Sequence, residues 1–159
     1  MNIKIITVGK IKEKFYRDAI LEYSKRLSSY CKLNIIEVND EMTKENASVN
    51  EVNIVLRKEG ERILKSINNN EYIIALAING KKLDSIEFAN KINDLGIHSN
   101  SNICFIIGGS LGLSDDVLKK ANMKLSFSDM TFPHQLMRVI LLEQIYRAFR
   151  INNNEPYHK

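Results

Sequence analysis

Residues 103–116 read ICFIIGGSLGLSDD, and this stretch decides the fold class. Residues 103–107 form an almost wholly apolar run, which is typical of a strand buried on both faces of a parallel sheet. A glycine-rich turn follows at residues 108–112, and Ser114 with two aspartates after it indicates the N-cap and acidic first turn of a helix. The stretch therefore predicts a strand, a tight turn and a helix, the repeating unit of an α/β protein.

Apolar runs and amphipathic stretches alternate in the same way along the rest of the chain. The predicted strands cover residues 3–8, 33–38, 72–78, 103–107 and 123–127. We interpret Asn79-Gly80 as the turn that closes the third strand, and residues 39–50 as a mobile polar and acidic loop. Asp84, followed by Glu87, resembles a capping box that opens a helix. The order βαβαβαβαβα predicts an α/β fold with a mostly parallel sheet and helices on both faces.

Composition and charge limit the class of protein. The chain has 159 residues, of which 44% are hydrophobic and 26% charged, so we expect one folded domain and exclude wholesale disorder. The formal net charge is +4. Residues 1–32 carry eight Lys and Arg against three acidic residues, whereas residues 33–61 carry seven acidic residues against three basic ones. The basic end is a candidate phosphate-facing surface, with an ordinary solvated helix face as the alternative.

The cysteines and the N-terminus indicate the compartment. Cys31 and Cys104 are far apart, with no CxxC motif and no Cys/His cluster, so the sequence suggests neither a zinc site nor a disulfide framework. The apolar run at the N-terminus is short and is predicted to be a strand, and no uncharged stretch approaches the roughly 18 residues of a membrane span. We therefore expect a cytoplasmic protein with no membrane segment and no metal.

The final predicted helix, from about His134 to Ile151, is apolar around most of its circumference. Its apolar residues are Leu136, Met137, Val139, Ile140, Leu141, Leu142, Ile145, Tyr146, Ala148 and Phe149. Either this helix is sandwiched inside the chain or it packs against a second subunit. Because a chain of this length has few elements left to cover such a helix, we favour a homodimer interface.

Two loops are candidates for a binding site. The first is the glycine loop at residues 108–112, and the second reads FSDMTFPH at residues 127–134. Since both follow strands of a parallel sheet, we expect them to lie side by side and form one pocket. The glycine spacing is not GxGxxG and there is no Gly-Lys-Ser/Thr, so dinucleotide or ATP binding is disfavoured. A ligand-free turn at the glycine loop, with ordinary turn and cap roles for Ser128, Asp129 and Thr131, is the open alternative.

The C-terminal tail, EPYHK at residues 155–159, is the third candidate. Most such termini are frayed and carry no function. This one holds a tyrosine, a histidine and a lysine, all of which can bind or exchange protons. On the preceding helix, Arg138, Arg147 and Arg150 would suit phosphates if exposed, although Glu143 and Arg147 are also spaced for a stabilising i, i+4 ion pair.

Across essentially its whole length the chain resembles the RlmH family of SPOUT-class 23S rRNA pseudouridine N3-methyltransferases. The resemblance is carried by IKIITVGK at residues 3–10, FIIGGS at 105–110, LSFSDMTFPHQ at 125–135 and PYHK at 156–159. The chain departs from the family pattern at Asp129, where lysine is common, and at Phe132, where leucine is common. Both lie in a loop that we expect to act largely through its backbone.

The resemblance implies a single SPOUT domain over residues 1–159, with a deep trefoil knot in the cofactor-binding part at about 70–159. It further implies a homodimer formed through the last helix, and S-adenosylmethionine as the methyl donor. The residues that it assigns to the cofactor pocket are Leu76, Gly108, Phe127, Ser128, Asp129, Met130, Thr131 and Phe132.

The reaction that the resemblance implies is methyl transfer to N3 of a pseudouridine in helix 69 of 23S rRNA, on the assembled ribosome and without a metal. N3 must lose its proton before or during attack. We expect Tyr157 and His158 to handle this proton and orient the base, and Lys159 and Arg147 to hold rRNA phosphate or the developing anion. The alternatives are a non-catalytic ribosome-associated factor and a flavodoxin-like nucleotide-binding enzyme.

Overall fold

The structure is a computed structural model that describes residues 1–98 and 101–159. Strands and helices alternate along these residues, as the sequence predicts. In chain order they are β1 (Asn2–Val8), α1 (Lys14–Leu27), β2 (Lys32–Val38), α2 (Val49–Lys65), β3 (Tyr72–Lys82), α3 (Ser85–Ile97), β4 (Asn102–Ile107), α4 (Asp115–Lys120), β5 (Met123–Ser126) and α5 (His134–Asn152).

The strands form one sheet in the order β2-β1-β4-β3-β5, and each neighbouring pair is parallel. Helices cover both faces. α1, α3 and α5 pack on the face to which β4 contributes Phe105, whereas α2 and α4 pack on the face that holds Cys104 and Ile106. Because successive side chains of a strand point to opposite faces, a continuous apolar run can fill both cores. The predicted α/β fold with helices on both faces is confirmed.

The interpretation of Asn79-Gly80 as the end of the third strand is wrong, because β3 continues through this pair to Lys82. The ladder between β3 and β5 shifts there, so that Leu76 and Lys81 both pair with Leu125 and the residues between them bulge outward. A Cβ atom on Gly80 would lie 2.7–2.8 Å from backbone atoms of residues 124 and 125. The glycine therefore permits close approach of two backbones and does not reverse the chain.

Helix starts agree well with the local cap signals. The predicted capping box of Asp84 and Glu87 is present at the start of α3. A second capping box, of Ser48 and Glu51, starts α2 inside the region predicted to be a loop. The beginning of that loop is tied to α2, because the backbone N–H of Glu41 donates to Glu59.

α5 packs against α1, α3 and β4. Leu141, Leu142, Ile145 and Ala148 are buried in this packing, while other apolar residues, including Leu136, Val139 and Ile140, stay partly exposed. The chain thus covers part of the circumference of α5, and the homodimer through the remainder stays a prediction. Within the residues described, no helix combines the length and the apolar character needed to cross a membrane.

The close approach at Gly80 leads to a prediction about stability. Gly80→Ala places a methyl group against the backbone of β5, which must then move, so we expect the free energy of unfolding to fall by about 1–3 kcal/mol. Urea denaturation measures this change. The matched control is Gly96→Ala in α3, where the new methyl meets only the end of the flexible Met1 side chain and where alanine favours the helix. Equal stability of the two variants would contradict the interpretation.

Candidate functional site

A cavity of about 730 Å³ opens at the carboxyl edge of the sheet, which is where parallel α/β sheets bind ligands. The bulged part of β3 at residues 76–79, the glycine loop after β4 and the loop between β5 and α5 form its walls. The two loops predicted to share a pocket therefore do so. Its volume lies within the range of about 300–1,000 Å³ that is usual for small-molecule sites.

Most of the residues predicted to hold a cofactor line this cavity. They are Leu76, Gly108, Phe127, Ser128, Met130, Thr131 and Phe132. Asp129 does not line it, because its exposed side chain forms an ion pair with Lys82. His134, which ends the second candidate loop but was not among the residues assigned to the cofactor, also lines the cavity. The sequence analysis missed Met137, which contributes from the first turn of α5, and its position directly after a loop at the strand ends was the available signal.

The glycine loop is closed tightly on itself. Gly112 has a φ of +85°, in the left-handed region that favours glycine, and its N–H donates to the carbonyl of Gly109 at 3.1 Å. A Cβ atom on Gly108 would lie 2.5 Å from the carbonyl oxygen of Gly112. The loop therefore presents backbone to the cavity, where polar main-chain groups can approach a ligand closely.

The loop after β5 is organised by its own serines. The hydroxyl of Ser126 donates to the carbonyl of Ser128 at 3.2 Å, and the N–H of Met130 donates to the Ser128 hydroxyl at 3.0 Å. A serine that bonds to the backbone two residues on is typical of a preformed turn. This wall of the cavity is thus ordered by the protein alone.

The electrostatics of the cavity are unusual for a nucleotide site. Among the described residues that line it, none is Lys or Arg, and most side chains are apolar. His134 is titratable, and burial followed by the charge of Arg138 lowers its pKa below the ordinary 6.5, against the opposing influence of Asp40 and Glu13. His134 is therefore mainly neutral at pH 7. The cavity fits an uncharged or cationic ligand better than a phosphate.

Arg138 fixes α5 against the strand ends and is not an exposed phosphate ligand, so that interpretation is wrong. Its side chain is 3% exposed. Nη1 donates to Glu37 at 2.8 Å, and Nη2 donates to the carbonyls of Val8 and Gly9 at 2.9 and 2.7 Å. A buried guanidinium with such partners holds β1, β2 and α5 together, and so positions the residues of the first turn of α5.

The C-terminal tail folds back onto α5 around the carboxylate of Glu143. Arg147 donates to Glu143 Oε1 from Nε at 3.0 Å and from Nη2 at 2.6 Å, and the Tyr157 hydroxyl donates to the same oxygen at 3.1 Å. Nη1 of Arg147 lies 3.2 Å from Nδ1 of His158. Three of the four predicted catalytic residues are therefore in one cluster, while Lys159 is exposed beside them in sequence.

A second set of contacts holds the start of the tail. The Tyr30 hydroxyl donates to Glu155 at 2.5 Å, and Arg150 also donates to that carboxylate. Nη2 of Arg150 donates to the carbonyl of Pro156 at 3.1 Å. The Tyr30 ring stacks on Phe149, with 5.5 Å between the ring centroids. The tail is thus anchored on both sides of Pro156 and does not extend freely into solvent.

The environment of Tyr157 decides its chemistry. Burial, and then the neighbouring carboxylate of Glu143, raise the pKa of Tyr157 to about 12. The hydroxyl is therefore protonated at neutral pH and can donate a hydrogen bond. This excludes the phenolate form as a base near pH 7.

The cavity and the tail cluster lie at different ends of α5. Met137 lines the cavity and Arg147 holds the tail, ten positions further along the helix. At 1.5 Å per residue these positions are about 15 Å apart along the helix axis. The structure brings Tyr157, His158 and Arg147 together, but within one chain it does not bring them to the cavity.

Comparison with known proteins places this geometry in context. Residues 1–158 match the family described as "Predicted SPOUT methyltransferase". The chain is similar over its full length to proteins named "Ribosomal RNA large subunit methyltransferase H", with every residue of both chains covered. The identities are 63% for Clostridioides difficile strain 630, 61% for Clostridium acetobutylicum and 64% for Clostridium tetani.

Solved structures are similar in fold alone. A probable methylase family protein from Haemophilus influenzae Rd KW20 superposes with a TM-score of 0.58 at 13% identity, over 99% of this chain and 70% of that one. A protein from Legionella pneumophila, solved with the bound cofactor SAM, superposes with a TM-score of 0.51 at 10% identity, over 94% and 66%.

The tail cluster predicts that Glu143 keeps the tail docked. Glu143→Gln retains the shape of the side chain but loses the charge that Arg147 and Tyr157 share, so we expect carboxypeptidase to remove the tail several-fold faster. The matched control is Asp18→Asn, which removes an exposed i, i+4 pair with Lys14 near the start of α1. Equal digestion of the two variants would refute the role of Glu143.

Proposed function

Because the chain belongs to the SPOUT methyltransferase family, we propose that it methylates large-subunit rRNA with S-adenosylmethionine as the methyl donor. The observation that carries the proposal is identity of 61–64% over the full length with relatives named for that activity. More finely, we propose N3 of a pseudouridine in helix 69 of 23S rRNA as the acceptor, on the assembled ribosome in the cytoplasm. The basic surface within residues 1–32 supports an anionic partner of this kind.

The cavity fits S-adenosylmethionine. When bound, this cofactor supplies an electrophilic methyl group on a positively charged sulfur. Apolar side chains such as Leu76, Phe127 and Met137 would enclose the adenine, and the backbone of the loops at 108–112 and 127–132 would supply hydrogen bonds. A neutral His134 does not repel the positive sulfur, and a wall without Lys or Arg is suited to a ligand without phosphate. The same wall disfavours a flavodoxin-like nucleotide enzyme.

The tail cluster would bind and orient the acceptor base. Methyl transfer would form the bond from N3 to the methyl carbon, break the bond from that carbon to sulfur, and release the N3 proton to water. The part of Tyr157 and His158 in handling this proton would then be to orient the base and to stabilise the charge that the proton leaves behind. Since Arg147 donates to Nδ1 of His158, a neutral His158 carries its proton on Nε2 and presents a donor. Together with the protonated Tyr157 and the cations of Arg147 and Lys159, this donor would stabilise the negative charge of the deprotonated imide. Catalysis is then mainly positioning and charge stabilisation.

We also propose that the working unit is a homodimer formed through α5. The distance of about 15 Å between the tail cluster and the cavity separates these groups in one chain. In a two-fold dimer with antiparallel α5 helices, the tail of one subunit lies beside the cavity of the other. The partly exposed Leu136, Val139 and Ile140 supply apolar surface for such packing. The single domain over residues 1–159 and the trefoil knot over about 70–159 belong to the same proposal, and all three cavity walls come from that C-terminal part.

The first test is transfer of labelled methyl from S-adenosylmethionine to ribosomes purified from a strain that lacks the modification, with free rRNA alongside. We expect methylpseudouridine on ribosomes only, mapped by mass spectrometry. A truncation that ends at Glu155 loses Tyr157, His158 and Lys159, so its rate should fall by a factor on the order of 10²–10³. Calorimetry should show unchanged cofactor binding by this variant.

Two results would contradict the proposed methyltransferase function or the role of its tail. Methyl transfer by the truncated protein at the full rate would remove the tail from catalysis. Tight cofactor binding by the intact protein without transfer to ribosomes would favour a non-catalytic ribosome-associated factor or a different RNA substrate.

Coexpression of two defective variants tests whether the tail acts across the dimer. Gly108→Ala pushes a methyl group into the backbone of the glycine loop and should impair the cavity, whereas the truncation at Glu155 leaves the cavity intact. Each variant alone should transfer methyl at a small fraction of the natural rate. A heterodimer of the two combines one intact cavity with one intact tail from the other subunit, so activity should return. If tail and cavity act within one chain, the purified heterodimer stays inactive.

A further inference from the structure

Phe15 is a large aromatic side chain that the fold leaves in solvent in the first turn of α1. It is 64% exposed. One side of its ring approaches Tyr16, with 4.3 Å between the ring centroids. A ring exposed to this degree contributes little to the core and offers aromatic surface to a planar partner.

The segment around Phe15 is basic and ordered. Nη1 of Arg17 donates to the carbonyl of Lys12 at 2.6 Å and to that of Ile11 at 3.4 Å, which fixes the turn that leads into α1. Lys14 pairs with Asp18 at 2.6 Å on the surface. Lys10 and Lys12 are exposed and form no ion pair among the residues that the structure describes. Two exposed lysines that form no ion pair among the described residues therefore precede the aromatic ring on the segment that leads into α1.

This segment starts at the rim of the cavity. Arg138 holds the carbonyl of Gly9, and a Cβ atom on Gly9 would lie 3.9 Å from Nε2 of His134, a residue of the cavity wall. The N–H of Ile11 donates to Glu37, the partner of Arg138, at 3.2 Å. The same buried guanidinium thus positions both the cavity wall and the segment that carries Phe15.

We propose that Phe15, with Lys10 and Lys12, is a platform on which an unpaired base of the RNA substrate stacks, close to the nucleotide that receives the methyl group. The inference rests on the proposed rRNA methyltransferase function and deepens it. Single-stranded RNA matches this surface, because an unstacked base can stack on the aromatic ring and the phosphates can pair with the lysines.

The experiment compares three variants for binding to unmodified ribosomes and to a short single-stranded oligoribonucleotide of mixed sequence, over a range of salt concentrations. Phe15→Leu keeps an apolar side chain but removes the π-face, so affinity should fall on the order of tenfold with an unchanged salt dependence. Phe15→Trp should stay within about twofold of the natural protein. Lys12→Ala should weaken binding and reduce the slope of log Kd against log salt by about one.

Leu21→Ala is the matched control. Leu21 is also apolar and 70% exposed on α1, but it is six positions away and faces a different side of the helix. This variant should bind RNA like the natural protein. Cofactor binding measured by calorimetry should be the same for Phe15→Leu and the natural protein, which shows that the fold and the cavity are intact.

Two outcomes overturn the platform. Equal RNA affinity of Phe15→Leu and the natural protein, while the natural protein methylates ribosomes, removes the platform and leaves the proposed function standing. If the Phe15→Leu variant forms a smaller oligomer than the natural protein in analytical ultracentrifugation, Phe15 belongs to a subunit contact instead. Conversely, if the natural protein binds the oligonucleotide through Phe15 but does not methylate ribosomes, the proposed function fails and the stacking platform stands.

Discussion

The buried guanidinium of Arg138 is the interaction on which the arrangement of the site depends. Its hydrogen bonds reach two carbonyls at the end of β1 and the carboxylate of Glu37 in β2, while its backbone belongs to α5. Hydrogen bonds to charged groups are typically worth about 1.5–3 kcal/mol each, and a buried charge tolerates no loss of partners. The first turn of α5, with His134 and Met137, is therefore held at one position beside the glycine loop.

The local signals of the sequence predicted most of the fold. Continuous apolar runs predicted buried parallel strands, and Asp84 and Ser114 marked helix starts through contacts within three residues. Such features depend on near neighbours only. The prediction of a turn at Asn79-Gly80 was wrong because the conformation of this pair is set by β5, more than forty residues further along the chain. The interpretation of Arg138 as an exposed phosphate ligand was wrong for the same reason. Its partner Glu37 is 101 positions away, and only the folded sheet brings the two together.

The sequence predicted which loops form the candidate site, but it did not predict the contacts between side chains that are distant in the chain. In a parallel sheet, the loops that follow the strands lie at the same edge. The loops at 108–112 and 127–134 both follow strands, and the cavity lies between them at that edge. The ion pair of Asp129 with Lys82 depends on the bulge in β3, which has no simple pattern in the sequence. Likewise, the docking of Tyr157 depends on Glu143, whose i, i+4 spacing to Arg147 indicated an ion pair but gave no sign of the tail.

The charge distribution separates two kinds of recognition. The cavity is mainly apolar and its described lining holds no Lys or Arg, whereas the exposed Lys10 and Lys12 precede Phe15 on a segment that starts near His134. A cavity that carried phosphate-binding cations would compete for the RNA backbone and would repel a positively charged methyl donor. Under the proposed function, cations that lie outside the cavity, on a segment that Arg138 holds near His134, would allow the methyl donor and the RNA to bind at separate places. In the proposed homodimer, the tail of the second copy would then complete the site, because within one chain the tail cluster lies about 15 Å from the cavity along α5.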